Sequence, residues 1–545
     1  MENNDQIFFT IFRNITLKKL IYNLLISDTT IIASPSYFDE NYKFFEPLDT
    51  NNREYNIKVH IFINNENISD YISCKQKDIY NSISFYNTVS QLQQIDIITN
   101  HLPKYIRNLS LVHEEVIKKG LVENLSTIET MTCLDFTQPI FPNTLPINLE
   151  EISFSAHNNN LLMLKDVFPQ SIKYISWLAN TNKLDLDFVF PTNTNLHINI
   201  DVDNENYKQV IDQLNQKALE FKNNNVKIKR LVLHYEANEQ PFTPNFFPPT
   251  LEELYIYTFR DSLPPLANAL FPDTLTRLKI RNLESKIQVG DLPANIRDLD
   301  LCSYGYPLTV GLLPQSLTKL KISEYNQPLE ANVLPQSLKT LRLDGFNQIL
   351  DCNILPCSLK KLILSNNTTL RQGCLPHGLE SLSTIPETIK GFTSFPSTLT
   401  TLHLNHCKKR NMISIVPILP STIHTFSLTL REGMAVGALQ RLPTSIKNLS
   451  IYVRISNEID RIDFLPNNLQ KLSLECAYAI KFLTFTDPHT KPIVCDDRVP
   501  SSLRLLRITS HNRMFYTPPS FVTTLIVNEY LESIQHLPSP NVLSL

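Results

Sequence analysis

The chain has 545 residues, of which 42% are hydrophobic, and its 50 Lys and Arg nearly balance its 53 Asp and Glu. This balance argues against nucleic acid as a partner, and no apolar run reaches the roughly 18 residues that a membrane span needs. The nine Cys have no regular spacing and no secretory signal precedes them, which indicates free thiols and a cytoplasmic location.

Residues 1–100 show no clear repeat and are predicted to form an N-terminal cap or a docking segment of mixed helix and strand. Residues 7–26 are mostly apolar and predict a helix, residues 55–63 alternate as a strand does, and residues 77–92 have near-helical spacing. A cap would shield the first coil of a repeat array, because terminal repeats need a cover. A separate docking module is the alternative.

From 101 to 545 the sequence repeats with a period near 21 residues. The template is Leu/Phe-Pro-x-Ser/Thr-Leu/Ile-x-x-Leu-x-Leu/Ile, and Pro314, Pro335 and Pro356 mark it at intervals of 21 residues. Such a period is typical of a solenoid, in which each repeat forms one coil. We predict an α/β-type, leucine-rich-repeat-like solenoid of about 19 coils, with a parallel β-sheet on one face and a mostly irregular return side.

Within each coil, proline is expected at the corner before the strand, because it has no N–H to donate to a neighbouring strand. The Ser or Thr two residues later is expected to hydrogen-bond nearby backbone and to hold this corner. An aromatic column eleven residues after the proline is expected to pack under the return side, and it contains Phe136, Phe259, Tyr304, Tyr325 and Phe346.

Between the Leu-Pro-x-Ser-Leu segments lie YNQPL at 325–329, FNQIL at 346–350 and FTQPI at 136–140. With their flanking segments they resemble the FNIP repeats of social amoebae and some giant viruses. The resemblance extends over roughly 102–545. It implies a leucine-rich-repeat-like fold and a role in protein interaction.

Three irregularities interrupt the period. An insertion near 203–222 has apolar residues on one helical face and predicts a helix on the convex side of its coil. The motif at Pro386 lies midway between Pro376 and Pro396, which are 20 residues apart, so it predicts the return side of a single coil. A second insertion near 484–498 predicts an exposed loop.

No group of residues predicts catalysis, a cofactor or a metal site. His403, His406 and Cys407 are of the types that bind zinc, but no paired Cys lies nearby. Sequence motifs of phosphate-binding loops, nucleophile elbows and zinc proteases are absent from the chain. We therefore expect a protein that is not an enzyme.

The candidate binding surface is the outward face of the predicted sheet. Its positions lie five, seven and nine residues after each proline, on strands about 4.8 Å apart. They form a mainly basic ladder that Asp298 and Asp300 interrupt, with tyrosines on the preceding coil. The candidate partner-binding residues are Tyr255, Tyr257 and the basic ladder itself, which consists of Arg277, Lys279, Arg281, Lys319, Lys321, Arg342 and Lys361.

These features predict a scaffold for protein-protein interaction that binds a protein partner with an acidic segment through the sheet face. A solvated face, in which Asp298 and Asp300 neutralise their neighbours, is the alternative interpretation of the ladder. The alternative function is a substrate receptor or signalling adaptor that docks through residues 1–100 to a ubiquitin ligase or a stress-kinase assembly.

Overall fold

The structure of the chain is a computed structural model. The regular elements of the chain are mainly short parallel strands. It describes residues 30–32, 34–36, 38–39, 46, 56–112, 117, 121–122, 125–133, 140–156, 167–179, 190–202, 207–220, 222, 225–235, 245–258, 266, 270–283, 285–365, 368–407, 414–430, 442–453, 465–476, 500–510, 524–527 and 541–544. The predicted helix at 7–26 and the predicted loop at 484–498 lie outside these residues.

The chain divides into two compact units. The first contains residues 1–237 and 245–259, and the second contains residues 238–244 and 260–545. The predicted division at residue 100 into a cap or docking segment and a solenoid stays a prediction.

The described part of the first unit has ten strands, and each pairs in parallel with the next along the chain. They are β1 (Thr30–Ile32), β2 (Lys58–Ile63), β3 (Ser82–Phe85), β4 (Asn108–Leu111), β5 (Thr130–Cys133), β6 (Glu151–Ala156), β7 (Tyr174–Ala179), β8 (Asn195–Val202), β9 (Lys227–Tyr235) and β10 (Glu253–Thr258).

The structure describes three α-helices of the first unit over their full length. They are α1 (Ile68–Ser73), α2 (Gln91–Asp96) and α3 (Tyr207–Glu220). The α3 helix lies within the insertion near 203–222 and buries Val210, Ile211, Leu214 and Ala218. The strand predicted within 55–63 is confirmed as β2, but helix is wrong for the middle of 77–92, where β3 buries Ile83 and Phe85 on alternate residues.

The described part of the second unit has fifteen strands. They are β11 (Arg277–Ile280), β12 (Asp298–Cys302), β13 (Lys319–Ser323), β14 (Thr340–Leu343), β15 (Ile349–Leu350), β16 (Lys361–Leu364), β17 (Thr369–Leu370), β18 (Ser381–Thr384), β19 (Thr401–Cys407), β20 (Thr425–Leu430), β21 (Asn448–Val453), β22 (Lys471–Cys476), β23 (Leu505–Ser510), β24 (Thr524–Val527) and β25 (Asn541–Ser544). All pair in parallel with their neighbours, and β15 with β17 forms a separate two-stranded sheet. A 3-10 helix at Pro386–Ile389 confirms that the Pro386 motif adds no strand to the main sheet.

The parallel-sheet solenoid is shown, but the predicted count of about 19 coils is wrong. Among the residues that the structure describes, the long parallel sheets of the two units contain 23 strands. The prediction counted coils from the first proline slot, Pro103, and therefore counted none for β1, β2 and β3, which have no such template. The α/β-type description also overstates the helices, because the described residues contain few of them.

The core of the described middle coils follows the predicted columns. In the coil of Pro314, Leu317, Leu320 and Ile322 are fully buried, while Lys319 and Lys321 between and beside them reach the surface. This alternation arises because successive side chains of a strand point to opposite faces. Apolar burial on one face therefore fixes which side chains face solvent on the other.

The corner before each strand is held by hydrogen bonds, as predicted, and these also join adjacent coils. The amide of Leu317 donates to the carbonyl of Pro314 at 3.1 Å, which closes a turn. The hydroxyl of Ser316 donates to the carbonyls of Ala294 and Ile296 in the preceding coil, both at 2.6 Å. The Ser of the template thus anchors its corner to the preceding coil, whereas the turn itself is closed by the backbone hydrogen bond.

The aromatic column packs in the interior of the return side. Tyr304, Tyr325 and Phe346 are fully buried, whereas Phe136 and Phe259 lie outside the described residues. The Tyr325 and Phe346 rings stack with centroids 6.1 Å apart and planes at 2°. The Tyr325 hydroxyl accepts a hydrogen bond from the Leu308 amide at 3.3 Å, and burial raises the pKa of Tyr325 to about 12.

Candidate partner-binding face

The outward side chains of β11–β14 and β16 lie in straight rows, because these strands pair without a register shift. One row contains Arg277, Asp298, Lys319, Thr340 and Lys361. The next row contains Lys279, Asp300, Lys321, Arg342 and Ile363. The structure therefore brings six of the seven residues of the basic ladder onto five adjacent strands, and Arg281 follows the end of β11 as an exposed residue.

Asp298 and Asp300 on β12 each contact a cation on both neighbouring strands. The Asp298 Oδ2 atom is 3.5 Å from the Arg277 Nε and 2.9 Å from the Lys319 Nζ. The Asp300 Oδ2 atom is 3.8 Å from the Lys279 Nζ and 3.1 Å from the Lys321 Nζ. One carboxylate thus serves two cations in each row, so each row keeps a surplus of positive charge.

The other end of the ladder is paired differently. The Arg342 Nε is 2.7 Å from the Oδ2 atom of Asp344, which lies two residues further along the chain. The Ser365 hydroxyl donates a hydrogen bond to the same carboxylate. Lys361 forms no ion pair with any residue that the structure describes. The ladder therefore has seven cations against three carboxylates at the outward positions.

Tyr255 and Tyr257 lie on β10 in the first unit, where they contact neighbours on β9. The Tyr255 ring lies 4.8 Å from the Arg230 guanidinium, and the Tyr255 hydroxyl donates to Glu253 at 3.2 Å. The Tyr257 ring stacks on His234 with centroids 5.0 Å apart. These contacts orient both tyrosines before any partner binds.

Sequence reasoning missed Arg230 and His234, although a signal for them exists. They lie five and nine residues after the substituted proline slot at Asn225, which are outward positions. It also missed exposed cations at the start of the strands, four residues after the proline, namely Arg297, Lys339 and Lys360. Lys360 pairs with Glu380 at 2.8 Å.

His403 and Cys407 lie on β19. Burial lowers the pKa of His403 and raises the pKa of the Cys407 thiol to about 12, so both are neutral near pH 7. Within the described ranges, no group of three or more His, Cys, Asp or Glu could hold a metal ion. No helix in those ranges is long and apolar enough to cross a membrane.

The family model described as FNIP Repeat matches the chain at residues 136–176, 304–345 and 346–385. The chain contains FNIP repeats. A search of the curated proteins found no significant match. In the second and third FNIP repeats lie Lys319, Lys321, Arg342 and Lys361 of the basic ladder.

Several solved structures are similar to this chain, including the following two. One is described as CroV588, a novel circular LRR protein structure, with 19% identity, a TM-score of 0.47, and coverage of 90% of this chain and 75% of that chain. The other is YopM from Yersinia enterocolitica WA-314, with 15% identity, a TM-score of 0.28, and coverage of 94% of this chain and 96% of that chain.

The residues that define the FNIP motif here have a structural role on the return side. The Asn326 Oδ1 accepts from the Asn347 amide at 2.9 Å and from the Gln348 Nε2 at 3.1 Å, which joins two consecutive repeats. Tyr325 and Phe346 stack beneath them. The FNIP motif therefore stabilises the stack of coils on the return side.

Proposed function

We propose that this chain is a non-enzymatic scaffold for protein-protein interaction, and that its partner binds to the outward face of β11–β14 and β16. The observation that supports this is the arrangement of the basic ladder in aligned rows on consecutive strands. The strands are fixed by fully buried apolar residues beneath them, such as Leu299, Leu320 and Leu341. The surface is therefore rigid, and binding to it costs little conformational entropy.

Charge on this face favours a partner through both steering and specificity, because complementary potentials speed encounter and disfavour wrong partners. The described cysteines are free thiols, which supports the cytoplasmic location that we infer for this scaffold.

Reversing the charges of Lys319, Lys321 and Arg342 together is expected to weaken capture of the partner at least tenfold. Loss of three attractive contacts and gain of three repulsive ones both act in this direction. The measurement is affinity capture with the full chain, followed by quantitative mass spectrometry of the bound proteins at low and high salt.

A matched control reverses three exposed lysines away from the face, Lys104, Lys286 and Lys390, and changes the net charge equally. It is expected to retain the partner. Unchanged capture by the Lys319→Glu, Lys321→Glu, Arg342→Glu variant would reject this face as the binding site.

A substrate receptor or signalling adaptor is the second candidate function, and one observation favours it. Three large apolar side chains are exposed on or directly after β1–β3, namely Ile32 on β1 (48% exposed), Phe62 on β2 (40%) and Tyr86 directly after β3 (47%). The Phe62 and Tyr86 rings are 5.7 Å apart, and His60, beside Phe62, lies opposite Ile32 in register. Exposed aromatic groups of this kind mark docking sites.

Replacing Phe62 and Tyr86 with Ser is expected to abolish capture of one set of proteins and to leave the set that depends on the basic ladder. Both rings are solvent-exposed, so the fold loses little. The same capture experiment measures it, with Leu92→Ser, a 78% exposed residue on α2, as the control. A captured set identical to that of the wild type would rule out docking through these side chains.

A further inference from the structure

We propose that Asp298 and Asp300 are internal competitors for the basic ladder, an inference that rests on the proposed function. The partner segment that displaces them is an extended stretch of protein with an acidic side chain at every second residue. Asp298 and Asp300 therefore set how tightly, and for which acidic sequence, the face binds.

The first support is the way the two carboxylates are shared. Each Oδ2 atom contacts one cation from β11 and one from β13, so two cations share one carboxylate oxygen in each row. An incoming carboxylate can satisfy the cation that Asp298 or Asp300 releases. The competition is close, because ion pairs at exposed sites are individually weak.

The second support is accessibility. The side chains of Lys319 and Arg277 are 54% and 45% exposed, whereas those of Asp298 and Asp300 are 22% and 18% exposed. A partner that approaches from solvent therefore meets the long cationic side chains before the shorter carboxylates. Long Lys and Arg side chains can turn toward a new anion while their strands stay in place.

The third support is spacing. Asp298 and Asp300 are alternate residues of one strand, so their side chains leave the same face about 7 Å apart. Lys319 and Lys321 on β13 have the same spacing and lie directly opposite them. β12 thus displays, within the protein, how an extended Asp-x-Asp segment fits an extended Lys-x-Lys segment.

A protein segment fits this face better than a nucleic acid does. Asp298, Asp300 and Asp344 lie among the cations and would repel a continuous line of phosphates. The chain as a whole has a formal net charge of −3, which disfavours the long-range attraction on which nucleic-acid binding depends. Isolated carboxylates on a peptide can avoid the acidic positions.

The test measures binding of two fluorescent dodecapeptides to the full chain by anisotropy. One alternates Asp and Thr, and the other has the same composition with its six Asp in one block. Wild type is expected to bind the alternating peptide more tightly. The Asp298→Asn, Asp300→Asn variant is expected to bind that peptide about tenfold more tightly than wild type, with a steeper salt dependence.

The control variant, Asp212→Asn with Glu330→Gln, changes the net charge equally at exposed positions off the ladder and is expected to leave the affinity unchanged. Asn has nearly the same shape as Asp, so the fold is expected to tolerate the substitutions. If the double variant does not fold, each single variant is expected to bind the alternating peptide about threefold more tightly than wild type. Unchanged or weaker binding by the Asn variants overturns the proposal.

Three other outcomes separate this inference from the proposed function. Equal affinity for the two peptides overturns the proposed alternating spacing. If partner capture still depends on Lys319 and Lys321 in that case, the proposed function as a scaffold stands. Tighter binding of a dodecamer of deoxythymidine than of either peptide overturns the choice of a protein partner. If no peptide binds and charge reversal leaves capture unchanged, both the inference and the proposed function fail.

Discussion

Replacing Phe346 with Ala is expected to lower the free energy of unfolding by about 3–5 kcal/mol. Phe346 is fully buried, and its ring stacks on Tyr325 of the preceding coil with the planes at 2°. The substitution removes a large apolar side chain and leaves a cavity between two coils that depend on each other for burial. Urea unfolding of the full chain, followed by circular dichroism, measures the change.

The matched control is Ile349→Ala. Ile349 lies three residues further on the same return side, on β15, but is 51% exposed. Its loss is expected to cost under about 0.5 kcal/mol, because surface substitutions seldom cost more. Equal effects of the two substitutions would contradict the assignment of Phe346 to the core of the coil.

The repeated part of the fold could be predicted from sequence because its pattern has two independent supports. The period places each coil, and the alternation at Leu320, Lys321 and Ile322 places the strand and its inward face. The same pattern could not place β1 or β3, since neither follows a proline template. At β3, the spacing of Ile79, Ile83 and Val89 matches a helix by coincidence, and pairing with β2 and β4 decides the outcome.

The candidate site could be predicted to the level of rows, but no further. The period places Asp298 beside Arg277 and Lys319, and the structure confirms that register. That one oxygen atom serves both cations is invisible in sequence, because long side chains can choose among several partners. Arg342 illustrates this freedom, because it pairs with Asp344, two residues further along the chain, and not with a residue on a neighbouring strand.

The Gly345→Ala substitution is also expected to lower the free energy of unfolding strongly, by about 2–4 kcal/mol. Gly345 has φ +90°, a backbone conformation that residues with a Cβ adopt only at a cost. A Cβ atom there would also lie 2.8 Å from the Glu324 Cα of the preceding coil. Because that neighbour is backbone, it cannot move aside as a flexible side chain would, and the two coils would have to separate.

Gly373→Ala distinguishes the two costs. Gly373 has a similar φ of +82°, but no atom lies within 4 Å of the position that a Cβ would take. In this variant the free energy of unfolding is expected to fall only by the cost of the positive φ, about 1–2 kcal/mol. The difference between the two variants in urea unfolding therefore measures how closely the coils approach at Gly345. Equal losses would show that the stack relaxes there without cost, and the close contact between these two coils would then contribute nothing to the rigidity of the face on β13 and β14.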